Sequence, residues 1–286
     1  MPFFPHLSRP RGVLLLMTPL VLLMPGCRAQ AHSTPVFIPH PNDASKRVEY
    51  FVEKPEGHGP WPTVILLHGH QVGRRPGGRA FVDWGVLSRY ASRGYLAVAV
   101  SQPGYGGSTG PADYCGPLTQ RAVSGVIARL VADGLAFPDK VVIEGISRGA
   151  VVAGLLAARD TSLAGAVLIS GVYDFPAYVV GATSWTERAG VVRSILSEAG
   201  GSQDALRSRS LLYEAAAVRA SLLLLSGAED DRTDPSQARQ VAAEITRGGG
   251  KARALLYEGY GHAIPPEVRR RDVDAFIDSV LARGSE

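Results

Sequence analysis

The segment Gly145-Ile146-Ser147-Arg148-Gly149 follows the apolar run Val141–Ile143 and precedes the alanine- and leucine-rich residues 150–158. This order predicts a serine in a sharp turn between a strand and a helix. Side chains two residues before and after such a serine would collide with the turn, and glycine at both positions removes the clash. The following helix would point its amide end at developing negative charge. The context predicts that Ser147 is a nucleophile.

Two later loops supply partners for this serine, which needs a base to accept its proton and a carboxylate to orient the base. The run Ser221–Ser226 leads into a loop that contains Asp230, and the run Ala254–Tyr257 leads into a loop that contains His262. Both candidates follow the carboxyl end of a strand, the edge where open α/β sheets place their sites. The order serine, acid, histidine is typical of one fold among those that carry such a triad. We therefore predict a triad of Ser147, Asp230 and His262.

The composition is that of an ordinary globular protein with a large core. The chain has 286 residues, of which 45% are hydrophobic and 20% charged. After a predicted edge strand over 47–52, short apolar runs alternate with helical segments, without a Pro/Ser-rich linker between them. The runs lie at 63–67, 96–100, 141–144, 166–170, 222–225 and 254–257. This pattern predicts the α/β class, with a mostly parallel sheet covered by helices on both faces, in one domain over residues 46–286.

The motifs together resemble the α/β-hydrolase superfamily, and within it the serine hydrolases similar to prolyl oligopeptidase and dienelactone hydrolase. The resemblance covers about residues 46–283. It rests on His68-Gly69, the 145–149 segment, Ser210–Ala215, residues 227–232 and Tyr260-Gly261-His262. It implies an α/β-hydrolase fold and an acyl-enzyme mechanism that needs no cofactor.

Four acidic residues compete for the role of the acid, at positions 229, 230, 231 and 234. The resemblance favours Asp230, which lies three residues after Gly227. Asp231 stands beside Arg232 and is typical of a loop ion pair, which contributes little at a surface. Asp230 is therefore the predicted acid.

The resemblance also indicates where an oxyanion would bind. One donor would be the backbone N–H of Arg148, directly after the serine. The second would come from the loop after His68-Gly69, where His70 and Gln71 are both candidates. Proteins similar to this chain use that His-Gly pair to shape the oxyanion loop, so His68 is not the expected base.

Residues 175–209 are longer than a normal crossover between a strand and its neighbour. Their large apolar residues are Tyr178, Trp185, Val191, Val192, Ile195 and Leu196. Two interpretations stay open. The segment is either a crossover helix with a decorated loop, or a small lid over Ser147 that shapes the substrate pocket.

The N-terminus is predicted to be an export signal, because Arg9 and Arg11 precede the twelve-residue apolar stretch 13–24. That stretch is too short to cross a bilayer, which needs about twenty residues. It ends in Met24-Pro25-Gly26-Cys27, which resembles a bacterial lipobox. Signal peptide 1–26 would then be removed and the mature protein would begin at a lipidated Cys27.

A second cleavage site is equally readable. Ala29-Gln30-Ala31 suits ordinary signal peptidase and would give a soluble periplasmic or secreted product. We expect a lipoprotein of the bacterial cell envelope as the first hypothesis and soluble export as the alternative. Residues 27–45 would form a tether between the anchor and the domain.

Other function classes find little support. The formal charge of +4 falls to +2 without residues 1–26, and no basic stripe interleaved with aromatics indicates nucleic-acid binding. No set of residues has the spacing of metal ligands. With Cys27 lipidated or removed, Cys115 is the one remaining cysteine, so no intrachain disulfide is expected.

The sequence thus predicts an exported serine hydrolase that cleaves a small carboxylic ester, without a metal or cofactor. A peptidase acting on short peptides is the alternative, and a catalytically silent envelope binding protein is the third hypothesis. The chain holds no segment that corresponds to the β-propeller of the larger peptidases, which favours the ester. The oligomeric state stays open.

Overall fold

The computed structural model describes residues 33–181 and 187–282. Eight strands of this part form one sheet in the order β1-β2-β4-β3-β5-β6-β7-β8. The strands β1 and β2 are antiparallel to their neighbours, whereas β4, β3, β5, β6, β7 and β8 run parallel. The strands are β1 Val36–His40, β2 Asp43–Glu53, β3 Trp61–Leu67, β4 Leu96–Val100, β5 Ala136–Ile146, β6 Gly165–Ile169, β7 Ser221–Gly227 and β8 Ala252–Tyr257.

Helices cover both faces of the sheet, as the alternation of apolar runs predicted. They are α1 Arg79–Asp83, α2 Val86–Ala91, α3 Pro117–Ala132, α4 Arg148–Arg159, α5 Phe175–Val180, α6 Glu187–Ala199, α7 Gln203–Arg207, α8 Pro235–Arg247 and α9 Pro266–Leu281, with a 3-10 helix over Leu211–Ala217. In none of these described segments is a helix long and apolar enough to cross a membrane.

The two faces carry separate hydrophobic cores because successive strand residues point to opposite sides. On one face, Ile65 and Ile143 pack with residues of α3, α4 and α8. On the other face, Val64 and Val142 pack with residues of α1, α2 and α9. Buried strands in the middle of the sheet therefore hold the strand ends rigidly, and the candidate residues lie just beyond those ends.

The predicted tether over 27–45 is wrong in its second half. Residues 36–40 form strand β1, which pairs antiparallel with β2, and β2 itself begins at Asp43. The predicted edge strand 47–52 is therefore part of an inner strand, which pairs with β1 on one side and with β4 on the other. The sequence signal was weak because β1 is short and contains Pro39, which suits an edge strand. Residues 1–32, with the predicted signal peptide and Cys27, lie outside the described residues.

The 175–209 segment contributes three helices, α5 to α7, to the described structure. It is anchored by buried side chains, since Phe175, Tyr178 and Ile195 lie in the core on the α4 face. The Tyr178 hydroxyl donates a hydrogen bond to the carbonyl of Arg232, in the loop after β7. The segment is thus tied to the loop that carries the predicted acid.

Candidate active site

Ser147 occupies a strained turn between β5 and α4. Its φ of 54° and ψ of −116° lie in a region that residues with a Cβ rarely adopt. Such a residue costs on the order of 1–3 kcal/mol and is held only by its surroundings. Here the Ser147 N–H donates to the carbonyl of Ile169, 2.7 Å away at the end of β6. The turn lifts the hydroxyl above the ends of the strands.

The flanking glycines are needed because backbone atoms approach them closely. A Cβ at position 145 would lie 2.2 Å from the carbonyl oxygen of Gly149, and a Cβ at 149 would lie 2.2 Å from that of Leu67. The clash at position 145 is with the turn itself, as the sequence pattern predicted, whereas the clash at position 149 is with the end of β3. A third close approach occurs at Gly227, where a Cβ would lie 2.1 Å from the carbonyl oxygen of Tyr260. That contact brings the loop after β7 against the loop after β8.

The structure brings together the three residues that the sequence singled out. His262 Nε2 lies 3.1 Å from Ser147 Oγ, and His262 Nδ1 lies 2.9 Å from Asp230 Oδ2. The Asp230 side chain is fully buried, whereas the His262 side chain is partly exposed. The arrangement can move a proton from a serine hydroxyl to an imidazole held by a carboxylate.

Asp230 is fixed by more than the histidine. Its Oδ1 accepts the N–H groups of Arg232 and Thr233, at 2.9 and 2.8 Å, and its Oδ2 accepts the Thr233 hydroxyl at 2.6 Å. Burial acts to raise the pKa of this carboxyl, but hydrogen bonds from His262 and Thr233 outweigh it and leave the pKa below its ordinary value. Asp231, by contrast, is exposed. Sequence reasoning missed Thr233.

A charged Asp230 sets the state of the neighbouring ring. Since the carboxylate can only accept, His262 Nδ1 must carry the proton in their hydrogen bond. Nε2 of a neutral ring is then free to accept the Ser147 hydroxyl. This tautomer is the one that a general base requires.

The candidate oxyanion donors lie beside the serine. Arg148 is the first residue of α4, so its N–H is among those a helix leaves without an acceptor of its own. A Cβ on Gly69 would lie 3.2 Å from Ser147 Cβ, which places the chain just before His70 against the serine. The His70 Nδ1 contacts the Tyr105 hydroxyl at 3.1 Å. The Gln71 side chain hydrogen bonds the Gly77 main chain at 2.8 and 3.2 Å.

His68 is buried and serves the loop. Its Nε2 accepts the N–H of Gln102 at 3.1 Å, and its Nδ1 contacts the carbonyl oxygen of Gly69 at 2.8 Å. Burial lowers the pKa of His68 to about 4, and the nearby Arg148 acts in the same direction. The ring is therefore neutral at pH 7, and no contact joins it to the Ser147 hydroxyl.

The side chain of Arg148 was missed by the sequence analysis, which used only its amide. The guanidinium is fully buried and donates through Nη1 to Glu198 Oε2 at 2.6 Å. The same carboxylate oxygen accepts the N–H of Tyr114 at 3.0 Å. An ion pair thus joins the residue after Ser147 to the last turn of α6. The sequence offered one signal for this ion pair, namely that Arg148 is a charged residue at the start of an otherwise apolar helix.

Among the described residues, neither the Cys115 thiol nor the potential metal ligands are arranged for chemistry. The Cys115 thiol is buried and donates to the carbonyl of Arg148 at 3.3 Å, and burial raises its pKa to about 12. In residues 33–181 and 187–282, no group of three His, Cys, Asp or Glu side chains could hold a metal ion.

Two family models match the chain. The model of the prolyl oligopeptidase family matches residues 120–283, which include all three residues of the hydrogen-bonded chain. The model of the X-Pro dipeptidyl-peptidase (S15) family matches residues 43–183. No curated protein sequence matches.

Solved structures of the same fold include peptidases and esterases. A puromycin-hydrolyzing peptidase from Mycobacterium tuberculosis is 20% identical with a TM-score of 0.73, over 89% of this chain and 41% of the peptidase. An acetyl xylan esterase from Paenibacillus sp. R4 is 17% identical with a TM-score of 0.68, over 86% and 83% of the two chains. An esterase from Pyrococcus furiosus is 15% identical with a TM-score of 0.65, over 88% and 92%. A puromycin hydrolase is 22% identical with a TM-score of 0.73, over 88% of this chain, and this chain spans 39% of its length.

Proposed function

The chain belongs to the prolyl oligopeptidase family of serine hydrolases, and on that premise we propose that it cleaves a carboxylic ester through an acyl-enzyme on Ser147. One observation carries the proposal. The Ser147 hydroxyl, the His262 ring and the Asp230 carboxylate form a continuous chain of hydrogen bonds, 3.1 and 2.9 Å long. A structural serine has no need of both partners.

The proposed reaction proceeds in two halves. Ser147 Oγ attacks the carbonyl carbon while His262 Nε2 accepts the hydroxyl proton. The imidazolium then gives that proton to the leaving alkoxide oxygen, the ester C–O bond breaks and the acyl group stays on Ser147. Water repeats the sequence, with His262 again as base, and releases the acid. Asp230 stabilises the imidazolium in both halves.

The proposed oxyanion hole consists of backbone donors. The Arg148 N–H and an N–H of His70 or Gln71 would hold the carbonyl oxygen as it becomes negative. The position of Arg148 as the first residue of α4 supports the first donor, and the close approach of Gly69 to Ser147 supports the second. Because the donors are fixed by the fold, they need no reorganisation when charge develops.

An ester is the preferred substrate and a short peptide is the second candidate. The ester is supported by two esterases of the same fold, an acetyl xylan esterase and an esterase from Pyrococcus furiosus, which this chain matches over 83% and 92% of their length. The peptide is supported by the family itself. Both substrates would use the same acyl-enzyme, so they differ in the leaving group and not in the nucleophile.

A fluorophosphonate probe tests the nucleophile. We expect one equivalent of probe on Ser147, no labelling of Ser147→Ala, and loss of on the order of 10³–10⁶ in kcat for that variant. Ser170→Ala is the matched control. Ser170 also follows a strand and has a positive φ of 53°, yet its buried hydroxyl has no hydrogen-bond partner among the described residues. Stoichiometric labelling of Ser147→Ala would overturn the proposal.

A substrate series separates the two candidates. p-Nitrophenyl esters of graded acyl length and aminoacyl p-nitroanilides should be compared by kcat/KM. We expect hydrolysis of the esters and little of the anilides. The reverse order would favour the peptidase. Hydrolysis of neither, by a protein that the probe fails to label, would favour the silent binding protein.

We also propose that the protein is exported and anchored through a diacylated or triacylated Cys27. This proposal rests on the apolar stretch and the lipobox-like motif at 13–27. Two or three acyl chains are expected because a single chain holds a protein at a membrane only marginally. Intact mass and detergent partition of the protein from its native envelope test it. A soluble product that begins at His32 would instead establish cleavage after Ala31.

A further inference from the structure

We propose that Gln102 is a positioning residue that fixes the separation between the two arms of the proposed oxyanion hole. The inference rests on the proposed function, because it concerns the same hole. The first arm is Arg148 at the start of α4. The second arm is the His68-Gly69 turn that leads into His70 and Gln71.

The sheet brings these arms close to Gln102. β3 lies between β4 and β5, with Leu67 in register with both Val100 and Gly145. Gln102 follows the end of β4, His68 follows β3, and Arg148 lies two residues after β5. The carboxyl ends of these three neighbouring strands therefore lie at the same edge of the sheet. Gln102 follows β4, which is separated from β5 by β3.

Gln102 contacts both arms with one fully buried side chain. Its Oε1 accepts the Nε–H of Arg148 at 3.2 Å, and its Nε2 donates to the carbonyl oxygen of His68 at 2.7 Å. Its backbone N–H also donates to His68 Nε2 at 3.1 Å. One amide group thus ties the residue after the nucleophile to the turn that precedes the second donor.

The chemistry of the contacts selects an amide. The side toward Arg148 must accept and the side toward the His68 carbonyl must donate, and a carboxamide does both. A leucine of similar size would leave a buried carbonyl and a buried guanidinium N–H without partners. Arg148 already has one buried nitrogen, Nη2, without a partner among the described residues. Loss of the Gln102 amide would therefore leave a second buried nitrogen of Arg148 without an acceptor.

Loss of the bridge should act on the transition state. Oxyanion donors are effective only at about 2.7–3.1 Å from the developing charge, and removing one costs about 10²–10³ in kcat. If the arms move apart by a fraction of an ångström, charge stabilisation weakens while ground-state binding of the ester changes little. The signature is therefore a lower kcat at constant KM.

The matched control is Gln120, on α3. It is buried and bonded in the same pattern, since its Oε1 accepts from Arg159 and its Nε2 donates to the carbonyl of Cys115. Neither of these side-chain hydrogen bonds reaches an arm of the proposed hole directly. Gln102→Leu and Gln120→Leu thus remove equivalent hydrogen bonds at two places, one beside the proposed hole and one away from it.

The experiment measures kcat and KM on a p-nitrophenyl ester. The concentration of active sites, which kcat requires, is obtained by titration with the fluorophosphonate probe. For Gln102→Leu we expect kcat to fall about 10- to 1000-fold and KM to stay within about twofold. For Gln120→Leu we expect kcat within about twofold of the wild type. Should Gln102→Leu fail to fold, Gln102→Glu keeps the shape and the acceptor toward Arg148, and it should also lose kcat.

The outcomes are distinct. A folded Gln102 variant with wild-type kcat per titrated site overturns the inference, and so does an equal loss in Gln120→Leu. If the wild-type protein itself is not labelled at Ser147, the proposed function fails instead.

Discussion

At the scale of single residues, the site depends on how each polar group is satisfied. Asp230 accepts four hydrogen bonds, from His262 and from the two residues Arg232 and Thr233 that follow in its own loop. Its exposed neighbour Asp231 makes none of these contacts. Sequence reasoning chose between the two by family position, and the structure supplies a physical reason, namely burial against the ring.

Asp230→Asn should therefore cripple catalysis while Asp231→Asn should not. The amide can donate to Nδ1, which favours the tautomer with its proton on Nε2, and a loss of about 10⁴ in kcat is expected. Steady-state kinetics on a p-nitrophenyl ester measures it, with circular dichroism to verify folding. The assignment of the acid fails if Asp231→Asn is the damaging change.

His68 should make stability depend on pH. Its pKa is about 4 in the folded protein and 6.5 in its ordinary state, so the unfolded chain binds more protons between these values. The free energy of unfolding should therefore fall as the pH drops from about 6.5 to 4, by up to roughly 3 kcal/mol from this residue. Urea unfolding at several pH values measures the slope.

The variant His68→Gln should lose that part of the slope, whereas His58→Gln should keep it, because His58 is exposed. The difference between the wild type and His68→Gln matters here, since carboxylates such as Asp230 also lose stabilising contacts at low pH. Equal slopes in the wild type and His68→Gln would contradict a buried neutral ring.

At the scale of elements, α6 is fastened to the nucleophile turn by one buried ion pair. Arg148 and Glu198 lie 2.6 Å apart, and Arg188 at the other end of the helix lies 4.0 Å from Asp234, in the loop that carries the acid. The 175–209 segment therefore contacts the neighbours of both Ser147 and Asp230. Its role as a lid stays a prediction.

Glu198→Ala should be strongly destabilising, because it leaves the Arg148 charge buried and unpaired. We expect a loss of roughly 3 kcal/mol in the free energy of unfolding, measured by urea denaturation. Glu244→Ala is the control, since its partner Arg247 is exposed, and it should change stability by less than about 0.5 kcal/mol. Similar losses of unfolding free energy in both variants would show that the buried pair stabilises the fold no more than the exposed one.

At the scale of the whole molecule, the sequence predicted the strand–helix alternation and the parallel sheet from strong apolar runs. Glycines beside the ends of those runs marked Ser147 and His262, whereas Asp230 was chosen among its acidic neighbours by family resemblance. It missed β1, since a five-residue strand with a proline resembles a linker. It also missed the polar contacts of Gln102, Thr233 and Glu198. The contacts of Gln102 and Glu198 join residues far apart in the chain, and no local pattern encodes them. Thr233 lies only three residues after Asp230, but its hydrogen bonds depend on the fold of that loop.

The correction at β1 has a measurable consequence. Ile38 is buried in the sheet core, whereas Val36 on the same strand is 39% exposed. Ile38→Ala should cost about 2–3 kcal/mol of unfolding free energy and Val36→Ala less than about 1 kcal/mol. Chemical denaturation compares them. If residues 27–45 were a tether, both changes would be neutral.

The close backbone contacts at Gly145, Gly149 and Gly227 have a further consequence. Each depends on a missing atom and not on the chemistry of a side chain. In a library of random variants, we therefore expect most side chains around the turn to be exchangeable, whereas only glycine should be recovered at these three positions.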